Sequence, residues 1–365
     1  MSTVHQGAAG QGPTAKIRCA VLGATGVVGQ AFVRLLVDHP WFALAEVAAS
    51  ERSAGRPYAE AARWIGGDEM PETMAGMTVL PCDPAVVSSP LVFSALDSGV
   101  AGEAEAAFAR AGRFVLSNAK NYRMEPDVPL VIAEVNPDHL ALLDTQRRER
   151  GWSGGIITNG NCSTIVMVSA LAPIHRAFGL RRVFVATMQA VSGAGYPGVP
   201  SLDILGNVVP YIKDEEDKLE NETRKMLGAV SGGTLTEAPI AVTAHTNRVP
   251  VEHGHTVCMS LELERKATPD EVTAAIEAWR GADEARGLPT SPERALVVAT
   301  APDRPQPRRD VDLGGGMTVS VGRVREDPVF DVKLVAMGHN IVRGAAGASV
   351  LNAELLVARG LLTAP

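Results

Sequence analysis

The sequence predicts an α/β protein in two parts, an N-terminal doubly wound parallel sheet and an α+β part built on a mixed sheet. Three observations carry this. The apolar stretch Ile17-Arg18-Cys19-Ala20-Val21-Leu22 runs straight into a glycine turn, Gly23-Ala24-Thr25-Gly26-Val27-Val28-Gly29, and then into apolar residues at helical spacing. Strand-like and helix-like segments alternate from there to about residue 158, the pattern of parallel sheets with crossover helices. Beyond Cys162 the apolar residues alternate one in, one out, as half-buried strands of antiparallel or mixed sheets do.

Taken in order, the first strand, its glycine turn and the helix after it (residues 30–36) form the context of a Rossmann-like dinucleotide site. Glycines let the backbone approach a pyrophosphate, which rests on the helix N-terminus. Gly23, Thr25, Gly26, Val27 and Val28 are the candidate contacts, in a G-x-x-G-x-x-G spacing. The next strand, residues 44–49, ends at Ser50-Glu51-Arg52-Ser53-Ala54-Gly55-Arg56. NAD enzymes place a carboxylate here for the ribose 2′-hydroxyl, whereas Ser50, Arg52 and Ser53 suit a 2′-phosphate. NADP is therefore the expected cofactor, with Glu51 the dissenting charge.

Residues 90–96 form a strand whose end, Ser94-Ala95-Leu96, faces the ligand edge of the sheet. An alanine-rich helix follows at 102–112, then a short strand at 113–116 that opens into Ser117-Asn118-Ala119-Lys120-Asn121-Tyr122-Arg123. Residues 128–132 are expected to complete the sheet. Arg123 follows a strand C-terminus and is a candidate anion contact. Ile156-Ile157 ends a buried strand, and residues 165–174 read as a helix. Strands are expected at 182–192, 256–264, 317–321 and 332–334, with Val257, Met259, Leu261 and Leu263 sharing one face. One side of that sheet would lie on helices and the other would be available to a partner subunit. Between the strands lie a charged helix at 214–227 and a Pro/Arg/Gly-rich loop at 302–316. Arg343-Gly344-Ala345-Ala346-Gly347-Ala348 leads into a C-terminal helix whose small residues permit close packing.

Composition narrows the classes of function. With 365 residues, 46% hydrophobic and 21% charged, the chain has the make-up of a soluble globular protein of two domains. A net charge of −7 gives no electrostatic support to nucleic-acid binding. Cys19, Cys82, Cys162 and Cys258 are far apart and form no CxxC pair, which fits neither a zinc site nor a disulfide scaffold and suits a reducing cytoplasm; no metal is expected. No apolar run has the length of a membrane span. Residues 1–15 read as a loose tail, 16–158 with 342–365 as the NADP-binding domain, and 159–341 as the catalytic and dimerisation domain.

The chemistry centres on Asn159-Gly160-Asn161-Cys162-Ser163-Thr164-Ile165. A cysteine at a strand-to-helix junction meets unpaired amides and the helix dipole, which lower a thiol pKa and favour a thiolate nucleophile. The same amides could hold an oxyanion. Polar Asn161, Ser163 and Thr164 around the thiol speak against a plain core cysteine. A proton partner is needed, and His255, in Arg248-Val249-Pro250-Val251-Glu252-His253-Gly254-His255 just before an alternating strand, is the candidate.

These segments, with Gln189-Ala190-Val191-Ser192-Gly193 and Asn340-Ile341-Val342-Arg343-Gly344-Ala345-Ala346-Gly347, resemble in order those of the aspartate-β-semialdehyde dehydrogenases, particularly the archaeal and fungal branch. The resemblance spans nearly everything from Ile17 onward. It implies that Cys162 attacks an acyl phosphate and forms a thioester, that His255 is the acid/base, and that Gln189 orients the substrate beside the thiol. It implies further that Arg248 grips the α-carboxylate, that Glu215 reads the α-amino group, that Asn161 contacts the substrate, and that Lys218, Arg123 and Asn118 surround the phosphate. Asn340, with Ser192 and Gly193, would meet the nicotinamide end, and His253 falls at a position the family does not use for catalysis. Glu252 and the N-terminal tail depart from the family pattern. The implied reaction is NADPH-dependent reductive dephosphorylation of L-aspartyl-4-phosphate to L-aspartate-4-semialdehyde, reversible, in lysine, threonine and methionine biosynthesis, by a cytoplasmic homodimer or homotetramer. Malonyl-CoA and succinyl-CoA reductases share the scaffold and the Cys/His pair, and are the alternative.

Overall fold

The first sheet is built outward from β1 (Ile17–Leu22), which pairs in parallel with β2 (Phe42–Ala49) on one side. The computed structural model describes residues 12–66 and 69–364, so the tail expected at 1–15 lies outside the described residues as far as residue 11. With β3 (Val79–Pro81), β4 (Leu91–Ser94), β5 (Phe114–Ser117) and β6 (Gly155–Thr158), the strand order is β3-β2-β1-β4-β5-β6, parallel throughout. The order reverses between β1 and β4, so a crevice opens beyond their C-terminal ends. Helix α1 (Val27–Leu36) buries Phe32, Val33 and Leu36 on one face of the sheet, and α2 (Ser98–Arg110) buries Phe108 and Ala109 on the other. Helix α3 (Leu142–Arg150) leads into β6 and ends at Gly151, whose φ of 65° is the left-handed conformation of a C-terminal glycine stop.

One expected strand is replaced by another. Residues 128–132 do not form a sixth strand; Leu130 makes a single bridge to Thr158. Pro129 interrupts the segment and has no amide to donate to a ladder, so only its carbonyl, with the Val131 amide, pairs there. β6 takes the place.

Helix α4 (Cys162–Phe178) starts directly after β6 and is the spine of the molecule. Its residues from Ser163 to Ile174 are all buried, which is why the stretch is apolar on every side rather than along one stripe. Ile165, Val168 and Ala172 pack towards Leu130, Ile132 and Ala348, whereas Val166, Ala170 and Leu171 pack on the second sheet.

That second sheet comprises β7 (Leu180–Gln189), then, past helix α5 (Glu215–Met226) and the small hairpin β8 (Ala229–Ser231) and β9 (Thr234–Thr236), the strands β10 (Ala241–Arg248) and β11 (His255–Leu263). Helix α6 (Pro269–Ala278) precedes β12 (Leu296–Ala299), β13 (Val319–Glu326) and β14 (Val332–Gly338). The order is β10-β7-β11-β14-β13-β12, with parallel pairs at both ends and antiparallel pairs between. Val257, Met259, Leu261 and Leu263 all enter the core under the helices, as their alternation predicts. Met188 on the opposite face is exposed, and Phe184 and Cys258 are partly so. The loop expected at 302–316 contains two short helical turns, Pro307–Asp310 and the 3-10 turn Leu313–Gly316.

The chain then returns to the first sheet. A π-helical turn, Val342–Ala346, carries i→i+5 bonds from the Gly344 amide to the His339 carbonyl and from the Ala346 amide to the Ile341 carbonyl. It runs into α7 (Gly347–Ala358), whose Val350, Leu351 and Leu355 join the core of the first sheet. The turn is anchored by Arg343, 1% exposed, with Nη1 2.7 Å and Nη2 3.1 Å from the two carboxylate oxygens of Glu134.

Removing one partner of such a pair leaves an uncompensated buried charge, which costs about 3–5 kcal/mol. Glu134→Ala is therefore expected to lower unfolding stability by about that amount in urea titration, whereas Arg359→Ala, at the half-exposed Glu284 pair, should cost under about 1 kcal/mol. Similar losses in the two variants would show that the buried pair does not anchor the turn.

Candidate active site

Cys162 is the first residue of α4, and its Sγ lies 3.2 Å from His255 Nε2. His255 opens β11, so the end of a rigid strand fixes the ring. Its Nδ1 accepts the Ala190 amide at 3.1 Å, which leaves Nε2 as the ring atom that exchanges protons with the sulfur and whatever binds there. The helix start is capped by Asn161, whose Oδ1 accepts the Ser163 and Thr164 amides at 3.0 and 3.1 Å. Asn161 is itself held from α5: its Nδ2 donates to Glu215 Oε1 at 2.8 Å and its amide to Glu222 Oε2 at 2.6 Å. Lys218, one turn along the same helix, pairs with Glu215 Oε2 at 3.0 Å.

A cavity of about 510 Å³ opens above the thiol. Its walls come from both parts of the chain, with Asn118, Lys120 and Arg123 on one side and Lys213, Glu215, Lys218 and Arg248 on the other. Arg248 ends β10, and its Nη1 donates to the Ala190 carbonyl at 2.7 Å. Arg123 donates to Glu222 at 2.9 Å and to the Asn118 carbonyl at 2.7 Å, while its buried Nε finds no partner among the described residues. Cations in excess around one buried carboxylate make this a site for an anionic ligand that also carries a positive group. Gln189 is brought to the end of β7 but turns its amide to Thr187 Oγ1 at 3.2 Å and does not line the cavity.

The cavity continues to Val27 and Val28, the first residues of α1, and to Leu96, Ser192, Gly193 and Asn340. The glycine turn fits a dinucleotide by its sterics. Gly23 has φ of 72° and a Cβ there would lie 2.6 Å from the Ala95 carbonyl oxygen; one on Gly29 would lie 2.1 Å from that of Gly23. Gly26 caps α1 without a side-chain acceptor, so the first amides of that helix are left for an incoming anion. Tyr58 Oη and Gln30 Nε2 pin the turn through the Ala24 and Thr25 carbonyls, at 2.7 and 2.9 Å. Ser50, Arg52 and Ser53 form a tight turn just after β2, with the Ser53 amide 2.8 Å from the Ser50 carbonyl. Asn340 Nδ2 donates to Ser192 Oγ at 2.9 Å, and its Oδ1 accepts the Gly254 amide.

Two expectations are corrected. Ser94 does not present its hydroxyl to the cofactor crevice, because it donates to the buried Glu105 at 2.6 Å, as Ser117 does at 2.8 Å. The helix-start argument anticipates a lowered thiol pKa. In the structure burial dominates and, with the charge of Glu215, pushes Cys162 up to about 12 against the pull of Arg123 and Arg248. Burial, then Arg248 and His339, pushes His255 down to about 3. The resting pair is thus a thiol beside a neutral imidazole.

Sequence reasoning missed Glu222, Lys225, Glu105 and Lys213. The first two had a usable signal: residues 215, 218, 222 and 225 recur at helical spacing within a charged helix, yet Glu222 and Lys225 are 2% and 1% exposed.

Comparison with known proteins agrees with this architecture. Residues 18–143 match the family model for the semialdehyde dehydrogenase NAD binding domain, and residues 171–343 that for the semialdehyde dehydrogenase dimerisation domain. The chain is 52% identical to an aspartate-semialdehyde dehydrogenase of Archaeoglobus fulgidus over 92% of its length and 97% of that protein's. It is 49% identical to one from Schizosaccharomyces pombe, covering 94% and 98%. The crystal structure of aspartate semialdehyde dehydrogenase with NADP from Candida albicans superposes with a TM-score of 0.87 at 43% identity, over 95% of this chain and all of that one.

A protonated resting thiol has a direct signature. Alkylation of Cys162 by iodoacetamide in the ligand-free protein should accelerate about tenfold per pH unit between pH 7 and 9 without a plateau, because the thiolate fraction is still rising. Glu215 raises the thiol pKa, so Glu215→Gln should lower it and speed alkylation at pH 8, and Arg248→Leu should slow it. A plateau already reached at pH 7, read by mass mapping of Cys162, would mean that the thiolate exists at rest.

Proposed function

The chain belongs to the aspartate-semialdehyde dehydrogenase family, and on that premise we propose that it interconverts L-aspartyl-4-phosphate and L-aspartate-4-semialdehyde with NADPH, through a thioester on Cys162. The observation that carries this is the thiol–imidazole pair, 3.2 Å apart, beneath a cavity shared by a dinucleotide-type glycine turn and a mixed set of cations with Glu215. Cofactor binding is assigned to residues 16–158 with 342–365, and the chemistry with subunit contacts to 159–341.

The residues divide the work as follows. Arg248 and Glu215 take the α-carboxylate and α-ammonium of the substrate, and Arg123, Lys218 and Asn118 take its phosphate. Sulfur attacks the acyl carbon, the C–O bond to phosphate breaks, and the proton leaving the thiol is carried off on the departing phosphate. Asn161 takes the Ser163 and Thr164 amides, so of the α4 start the Cys162 amide is left to face the carbonyl oxygen as it gains charge. Gly23, Thr25, Gly26, Val27 and Val28 hold the pyrophosphate, Ser50, Arg52 and Ser53 the 2′-phosphate, and Ser192, Gly193 and Asn340 the nicotinamide end. When bound, NADPH supplies the hydride that takes the acyl carbon to the aldehyde level. His255 Nε2–H donates to the resulting oxygen while it is negative; as the carbon–sulfur bond opens that charge passes to sulfur, and one proton taken up from solvent restores the thiol, so the reaction consumes one proton in this direction. Gln189, whose amide rests on Thr187 at the end of β7, would have to swing into the cavity to orient the substrate. The product serves lysine, threonine and methionine biosynthesis, and a cytoplasmic location suits four free cysteines among the described residues.

A second copy of the chain is the expected partner. Leu202, Leu205 and Tyr211, which are 92, 69 and 66% exposed, belong to the segment that bridges the edge strand β10 through Val209, within the residues matching a dimerisation domain. Homodimerisation through the second sheet and this segment would cover them.

The deciding assay is NADP reduction by aspartate semialdehyde, expected to require phosphate and not to accept CoA in its place. Succinate semialdehyde lacks only the amino group, so Glu215 would lose its ligand contact and keep only Asn161 and Lys218. Its kcat/KM should be at least about a hundredfold lower, or about 2.7 kcal/mol in transition-state terms. Cys162→Ala should abolish turnover while leaving NADP binding intact. Equal rates for the two aldehydes, or preference for CoA, would move the chain to the acyl-CoA reductases.

A further inference from the structure

Helix α5 places four charged side chains in one stripe, Glu215, Lys218, Glu222 and Lys225, and only the first two line the cavity. Glu222 is 2% exposed and touches no open space, yet its carboxylate joins two parts of the site. Oε1 accepts Arg123 Nη1 at 2.9 Å, and Oε2 accepts the amide of Asn161, the residue before the nucleophile, at 2.6 Å. The surroundings leave this junction little slack. A Cβ on Gly160 would lie 2.1 Å from Met226 Cε and 3.5 Å from Glu222 Oε2. One turn further along, Lys225 Nζ donates to the carbonyls of Arg123, Glu125 and Val128, each within 2.8 Å. Helix α5 therefore grips Arg123 at both ends, its backbone through Lys225 and its guanidinium through Glu222.

We infer that Glu222 is a positioning residue for the reaction: a single buried carboxylate sets the anion-binding guanidinium of Arg123 and the turn that presents Cys162 in fixed relation to each other. The assignment of phosphate to Arg123 rests on the function proposed above; the hold on Asn161 does not. The chemistry explains why a carboxylate is needed. Both partners are N–H donors, and only a group with two acceptor oxygens satisfies both. Glutamine has the same shape, but whichever way its amide is turned, one of the two donors faces an NH2 group. Aspartate keeps both oxygens and the charge but is one methylene shorter, and so cannot span both partners from the same backbone position.

The test compares wild type, Glu222→Gln, Glu222→Asp, Arg123→Gln and the Arg123→Gln/Glu222→Gln double variant in the full-length protein. Read-outs are kcat per titrated Cys162 thiol, KM for phosphate and for NADP, and thermal midpoint. Glu222→Gln is expected to lower kcat at least tenfold and raise KM for phosphate at least tenfold, with KM for NADP within twofold of wild type. Glu222→Asp should move both in the same direction. The double variant should show a KM for phosphate within threefold of that of Arg123→Gln, because Glu222 acts on phosphate only through that side chain. A lowered thermal midpoint with unchanged kcat per thiol and unchanged KM for phosphate would overturn the inference and leave Glu222 a packing residue. Should Glu222→Gln fail to fold, the same two constants in Glu222→Asp decide. If wild type turns over the aldehyde without phosphate, the substrate assignment fails instead. The inference is then judged on kcat with whichever acyl acceptor the enzyme uses, since the Asn161 contact is common to all of them, and an undiminished kcat in Glu222→Gln overturns it.

Discussion

Everything in the molecule depends on burying a polar turn. For a thiol to react out of bulk water it must sit inside, and the turn that carries it brings backbone amides with it, each of which needs a partner. Asn161 answers part of that need by capping its own helix, and Glu215 and Glu222 answer the rest by holding its side chain and its amide. Asn159, on the other side of the turn, donates to Asn118 Oδ1 and to the Ala345 carbonyl. The nucleophile therefore has almost no freedom of its own. Its position is set by three segments that are distant in sequence, and that fixity is what a reaction between three groups in one cavity requires.

The same constraint decides where charges are buried. A paired carboxylate and guanidinium out of water are at best a modest net gain for stability. Yet Glu222 with Arg123 and Glu134 with Arg343 are both deep, and both flank the nucleophile: one beside the turn that leads into α4, the other in the π-helical turn packed on Cys162. A Cβ on Gly344 would lie 2.6 Å from Cys162 Cβ, so the turn carrying Arg343 must pass at backbone distance. Directional bonds locate a backbone to a few tenths of an ångström where apolar packing would tolerate sliding. Placement, more than stability, accounts for ion pairs at these two points.

Much of this was legible in the sequence, and the reasons differ by element. The glycine turn could be read because three glycines between an apolar strand and an amphipathic helix have few other physical uses, and β11 because its alternation is a direct print of one buried face. Cys162, His255 and Arg248 could be named through motifs, and the fold does bring them together. What could not be read depends on contacts between distant segments. The thiol lies against the π-helical turn, far along the chain, and Glu215 of α5 adds its charge, so a local helix-dipole argument has the wrong sign for its pKa. A strand end such as Ser94 is expected to face the cofactor, and only the structure shows Glu105 of α2 taking its hydroxyl. Glu222 and Lys225 looked like any solvated charges of a helix. Their burial depends on the loop from Arg123 to Val128 closing over them.

The route of the chain explains why the site lies where the two sheets meet. The first sheet ends at β6, and α4 leaves from its C-terminal edge, the edge at which the glycine turn also opens. The second sheet is then laid on the far side of α4, so β11 brings His255 to the thiol from the side opposite the cofactor turn. After β14 the chain has to cross back, and where it passes Cys162 there is no room for side-chain bulk. The π-helical turn provides it: its i→i+5 bonds accommodate an extra residue, which aims Arg343 at Glu134 while Gly344 faces Cys162. α7 then completes the core on which α1 rests. The helix that presents its amides to the cofactor and the helix that begins with the thiol are thereby tied through one C-terminal segment. A displacement of α7 would move both reacting partners together and leave their separation intact.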